Sequence, residues 1–105
     1  LYLVKNYFEN NTENFNDIKI FGETITNTNN EKFCFLTNLE RLIIFELIKN
    51  KSISREYFLE NILGLKKNIE TKTIESHLTR IRKKFLQIES QTKIFSKGNN
   101  FFLSS

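Results

Sequence analysis

The chemistry-bearing residues of this chain concentrate in Lys72-Thr-Ile-Glu-Ser-His-Leu-Thr-Arg-Ile-Arg-Lys-Lys-Phe85, which holds five cations against the single carboxylate Glu75. Its apolar residues Ile74, Leu78, Ile81 and Phe85 fall at i, i+4, i+7 and i+11, so they line one stripe of a helix. At about 100° per residue, Lys72, Ser76, Thr79, Arg80 and Lys83 land on the opposite face. A helix with a core side and a side of cations and small hydroxyls suits the major groove of DNA. There, charge meets phosphate and short polar groups meet base edges. The same pattern also fits a solvated basic face.

Arg80 is the candidate for base readout, because a guanidinium can bond a guanine bidentately; the alternative for it is a phosphate contact. Ser76 and Thr79 would touch base edges or thymine methyls. Lys72, Thr73 and Lys83 would hold phosphates, the first two near the helix N-terminus, where the macrodipole also favours an anion. Arg55 either reaches a phosphate or pairs with Glu56 or Glu60. Arg82 lies nearer the core edge, where it would pair with a carboxylate or pack its stem rather than read DNA. His77 flanks the apolar stripe as a boundary packing residue.

Charge is divided unevenly along the chain. Residues 1–50 carry five Lys/Arg against seven Asp/Glu, a net −2, and residues 51–105 carry eleven against five, a net +6, so the basic surface of this chain of net charge +4 belongs to the C-terminal half. The length of 105 residues suits one domain. A hydrophobic share of 39% is modest, but 11 Phe supply large core volumes. No apolar run approaches a membrane span, and no signal-peptide pattern opens the chain. The first residue is Leu1, from which we expect a domain cut from a longer protein.

Cys34 is the single cysteine, which excludes an internal disulfide and points to the reducing cytoplasm. In the apolar run Phe33-Cys-Phe-Leu36 it reads as a buried structural thiol, since little there would lower its pKa. With one His, one Cys, one Asp and no Gly-rich phosphate loop, neither a nucleophile–base pair nor a metal cluster can be assembled. The expectation is a protein without enzyme activity, metal or cofactor.

The elements that must position the basic face follow from local signals. Residues 1–17 read as a linker or preceding element, and residues 18–105 as the domain. Ile18–Phe21, Thr24–Thr26 and Lys32–Leu36 have strand composition, separated by turns at Gly22-Glu23 and Asn27–Asn30. Thr37-Asn-Leu-Glu40 is a capping box opening a helix to about Lys49, with Leu39, Leu42, Ile43, Leu47 and Ile48 as its buried side. After a turn at Asn50–Ile53, Ser54 is the candidate N-cap of a second helix, Arg55 to Leu63, closed by Gly64. Thr71 or Thr73 would cap the third helix, which ends near Ile88. Lys93 to Leu103 reads as a hairpin, with Gly98, Asn99 and Asn100 tolerating positive φ at its turn. The expected fold class is therefore α+β: an N-terminal antiparallel sheet, three helices as a winged helix-turn-helix, and a C-terminal β-hairpin wing.

In this order, the motifs resemble the C-terminal DNA-binding domain of OmpR/PhoB-type response regulators, over roughly residues 18–104. Leu36-Thr-x-x-Glu40 resembles the motif opening that family's first helix, and Ser54-Arg-Glu56 the one opening its second. Lys72 to Phe85 is similar to its recognition helix, and Ser96-Lys-Gly-Asn-Asn-Phe101 to its wing. The resemblance implies a four-stranded N-terminal sheet, whose fourth strand would lie in residues 1–17 or in a finer division of the other three. It implies the third helix in the major groove and the wing in the minor groove, with Lys97 as the wing-tip cation. It also implies a loop, Leu65 to Glu70, that touches RNA polymerase, and head-to-tail pairs on direct repeats. A receiver domain would act as the switch, although no receiver phosphoacceptor site is recognisable in these residues. The departures are Lys97, Asn100 and Phe101 where the family's wing has arginine, glycine and tyrosine, and Thr79 where its recognition helix is often basic. These bear on sequence preference. Lysine can neutralise a phosphate but lacks the planar fork of arginine. A reading of another class is a winged-helix protein-interaction module whose basic face meets an acidic partner.

Overall fold

The computed structural model describes residues 12–64 and 72–105. Its architecture is the α+β winged helix-turn-helix: a four-stranded antiparallel sheet, three helices and a C-terminal hairpin.

The first sheet is a meander of β1 (Thr12–Phe15), β2 (Ile18–Phe21), β3 (Thr24–Asn27) and β4 (Phe33–Phe35), hydrogen-bonded in that order. Alternation sends Ile18, Ile20, Ile25 and Cys34 to the core face and leaves Lys19, Phe21, Phe33 and Phe35 outside. The register Ile20↔Ile25 and Ile25↔Cys34 stacks the inward side chains across the sheet. The fourth strand comes from the stretch expected to be a linker. Thr12 to Phe15 pair with Phe21 to Ile18, through a turn in which Asn16 takes φ 52. Asparagine tolerates that left-handed conformation, so the Asn16-Asp17 pair folds the polar segment back onto the sheet.

Helix α1 (Asn38–Lys49) starts at the expected capping box, with both reciprocal bonds present: Glu40 N–H to Thr37 Oγ1 at 3.1 Å and Thr37 N–H to Glu40 Oε1 at 2.8 Å. Its burial is wider than its periodicity indicates. Ile43 and Leu47 are buried as expected, while Leu39, Leu42 and Ile48 are half-buried, and Ile44, Phe45, Glu40 and Arg41 join the interior. The helix is enclosed on more than one side: it packs on β1, on the π-helical turn of the second helix and on the C-terminal sheet. Arg41 is accommodated by donating to the Gly22 carbonyl at 2.9 Å and to Asn38 Oδ1.

The connection after α1 forms a strand where a plain turn was expected. β5 (Ile53–Ser54) pairs with the hairpin strand β7 (Asn100–Ser104), which pairs in turn with β6 (Lys93–Lys97), giving a second sheet of order β5-β7-β6. Ser54 then caps α2 (Arg55–Tyr57), accepting from the Tyr57 N–H at 3.1 Å. The helix widens into a π-helical turn, Phe58–Ile62, closed by Leu63 N–H to the Phe58 carbonyl at 3.0 Å. The wider turn puts Phe58, Leu59 and Ile62 in the core, and Gly64 ends it at φ 68. The Phe58 ring meets the edge of Phe101 at 5.9 Å between centroids, binding α2 to the wing.

Helix α3 (Lys72–Gln87) follows the apolar stripe read from the sequence: Ile74, Leu78, Ile81 and Phe85 are all buried, as is Ile88 just beyond it. Because the helix already includes Lys72, Thr73 lies in its first turn and is not its cap; Thr71 falls outside the described residues. In the hairpin turn Gly98 alone takes a positive φ, 62°, where Asn99 and Asn100 were also candidates; Asn100 instead opens β7. Among the described residues no helix is long and apolar enough to cross a membrane.

Candidate nucleic-acid interface

Packing of Ile74, Leu78, Ile81 and Phe85 into the core turns the opposite face of α3 to solvent. Ser76, Thr79, Arg80 and Lys83 are exposed there and, with Glu75, line one shallow concavity. Arg80 and Lys83 form no ion pair with another described residue, so their charge is available to an incoming anion. Thr73 sits half-buried in the first turn, and Lys72 is the first residue of the helix.

Arg55 stands apart from this cluster. It begins α2, half-buried, in a depression it shares with Ser54, Glu56, Leu59 and Asn99, and its own N–H donates to the Asn99 carbonyl at 2.7 Å. It is therefore brought to the wing turn. Lys97 is exposed at the end of β6, paired in register with Asn100 and next to Gly98. The loop Leu65 to Glu70, with Lys66 and Lys67, lies outside the described residues.

Two more cations of the basic stretch face inward. Arg82 donates to the Ile94 carbonyl of β6 at 3.1 Å and lies 3.6 Å from the Glu75 carboxylate, which is the pairing expected for it. Lys84 donates to Glu40 Oε1 at 2.5 Å and to the Phe35 carbonyl at 2.9 Å. Burial alone would raise the Glu40 pKa, but the bonds from Lys84 and from Thr37 hold it below the ordinary carboxylate value. His77 is half-buried at the edge of the stripe; desolvation and then the positive charge of Arg80 lower its pKa, favouring the neutral ring.

A polar node at the far end of α3 was not anticipated. The buried Asp17 carboxylate accepts from Ser90 Oγ at 2.6 Å, Thr92 Oγ1 at 2.8 Å and Gln91 N–H at 2.7 Å. Asn27 donates to the carbonyls of Ile88 and Glu89 at 3.0 and 3.1 Å, and Asn30 to that of Ile88 at 3.2 Å. The turns of the first sheet thus satisfy the carbonyls of Ile88 and Glu89, just past the C-terminus of α3, and root the strand leading to the wing. One clue was present in the sequence: alternation from Ile25 points Asn27 inward, where an amide must find partners. Cys34 is buried as expected, and its pKa is raised chiefly by that burial.

Comparison with protein-family models finds no match to this chain, and comparison with curated proteins finds none either.

Proposed function

We propose that this chain is a sequence-specific, double-stranded DNA-binding domain, acting in the cytoplasm as the output module of an OmpR/PhoB-type, two-component transcriptional regulator. The observation that carries the reading is the exposed face of α3, where Ser76, Thr79, Arg80 and Lys83 share one surface on the helix after α2, in a winged fold, and where Arg80 and Lys83 form no ion pair among the described residues. Arg80 would read a base edge, Ser76 and Thr79 would contact neighbouring edges or thymine methyls, Lys83 and Lys72 would neutralise phosphates, and the Thr73 hydroxyl would hydrogen-bond one. Lys97 at the wing tip suits the minor groove, and Arg55, held beside the wing turn, suits the intervening backbone. The same reading takes RNA polymerase as the partner of the loop Leu65 to Glu70 and head-to-tail pairing as the mode of occupancy.

Selection of bound duplexes from a randomised DNA library tests the proposal. A recurrent motif, with one preferred guanine that loses its preference in Arg80→Ala, is the expected result. Failure to enrich any motif, with the folded protein instead retained by acidic polypeptides through Arg80 and Lys83, would replace this reading with that of a protein-interaction module.

A further inference from the structure

Three consecutive cations on α3 have three different environments. Arg82 reaches the Ile94 carbonyl of the wing strand β6 and pairs with Glu75. Lys83 is exposed on the candidate DNA face. Lys84 enters the corner where β4 runs into α1, bonding the Phe35 carbonyl and the same Glu40 oxygen that accepts from the Thr37 N–H. Successive residues of a helix are turned by about 100°, so Arg82 and Lys84 leave on opposite flanks with Lys83 between them. One flank is tied to the wing and the other to the first sheet.

Apolar packing alone fixes such a setting loosely. The stripe of Ile74, Leu78, Ile81 and Phe85 gives depth and direction, but non-directional contacts resist a small roll about the helix axis weakly. A hydrogen bond on each flank resists it directly, because roll lengthens one bond or the other. Both donors are cations, but Lys84 meets a buried carboxylate where Arg82 meets a neutral carbonyl, so the Lys84 bond is the stronger.

We propose that Lys84 is a positioning residue: through Glu40 and the Phe35 carbonyl, with Arg82 on the other flank, it sets the rotation of α3 about its own axis and so the aim of Arg80 and Thr79. This inference rests on the DNA-binding reading for its consequence, while the lock itself is a property of the free protein. Lys84 is then a cation of the basic stretch that contributes no phosphate contact.

The test compares Lys84→Met with Lys83→Met in two measurements. The first is the affinity for a selected operator and for mixed-sequence duplex across a salt series. Lys83→Met removes a phosphate contact, so its slope of log affinity against log salt falls by about 0.9. Lys84→Met should keep the wild-type slope and lose discrimination between operator and mixed sequence by about tenfold, the result of misaiming and not of lost charge. A slope that falls as in Lys83→Met would make Lys84 a phosphate ligand and overturn the proposal, as would an unchanged preference. The second measurement needs no DNA: urea midpoints of Lys84→Met, Glu40→Gln and the double variant, with the fold checked by circular dichroism. The double variant should be shifted no further than the worse single variant. Additive shifts would show that the pair does not act as a unit and would overturn the lock even if DNA is bound. Non-additive shifts in a protein that binds no duplex would instead keep the lock and remove the DNA reading.

Discussion

Removing the Asp17 carboxylate should be among the most damaging single changes in this domain. In Asp17→Ala, the Ser90 and Thr92 hydroxyls and the Gln91 N–H lose their acceptor together. A hydrogen bond to a charged group contributes roughly 1.5–3 kcal/mol. Three such bonds to one carboxylate are not additive, and the exposed Gln91 can turn to water, so the expected loss is about 3–5 kcal/mol. Against a total stability of roughly 5–15 kcal/mol for a small domain, that is a large share. Asp17→Asn keeps one oxygen for the two hydroxyls but sets an amide against the Gln91 N–H, and should lose about half as much. Burial would raise the Asp17 pKa, but the bonds from Ser90, Gln91 and Thr92 outweigh it and hold the pKa below its ordinary 3.8. A depressed carboxylate stabilises the fold above its unfolded pKa, and that stabilisation is lost as pH falls through the folded value. Urea unfolding of wild type and Asp17→Ala should therefore show the full difference at pH 7, narrowing below pH 3.8. A difference under about 1 kcal/mol at pH 7, or one that stays constant into acid, would refute the assigned role of this node.

Leu78→Ala opens a cavity beneath the candidate recognition helix at a fully buried position, and calorimetry should show a loss of about 2–5 kcal/mol. Thr37→Ala removes one side of the α1 capping box and should cost about 1 kcal/mol in urea unfolding. Cys34, buried and with a raised pKa, should react with an aromatic disulfide reagent at neutral pH far more slowly in the native protein than in urea; equal rates would place the thiol at the surface.

What could be read from the sequence was local. The stripe of α3, the capping box at Thr37 and Glu40, the strands around Gly22 and the hairpin at Gly98 each announce themselves within a few residues, and each lies where its pattern puts it. Strand β1 lies within residues 1–17, one of the two places the resemblance allowed for a fourth strand, but its own residues did not show it, because Thr12-Glu-Asn-Phe15 has little apolar alternation and is held by pairing with β2. β5 escaped because two residues carry no period, and Ile53 becomes a strand residue only beside Phe101. The partners of Asp17 and Lys84 lie tens of residues away, at distances in sequence that periodicity does not reach. Within the basic stretch, helical period already set the outward Arg80 and Lys83 apart from the core-edge Arg82, whereas Lys84 took its role from tertiary contacts with Glu40 and the Phe35 carbonyl.

The central claim is that the outward face of α3 meets duplex DNA. Fluorescence anisotropy of a labelled mixed-sequence duplex, titrated with wild type and Lys83→Ala at several salt concentrations, tests it most directly. The account predicts binding that weakens steeply with salt in the wild type, and a weaker, less salt-dependent affinity in Lys83→Ala. A folded wild-type domain that leaves the duplex free at low salt would contradict it, as would binding that is indifferent to Lys83.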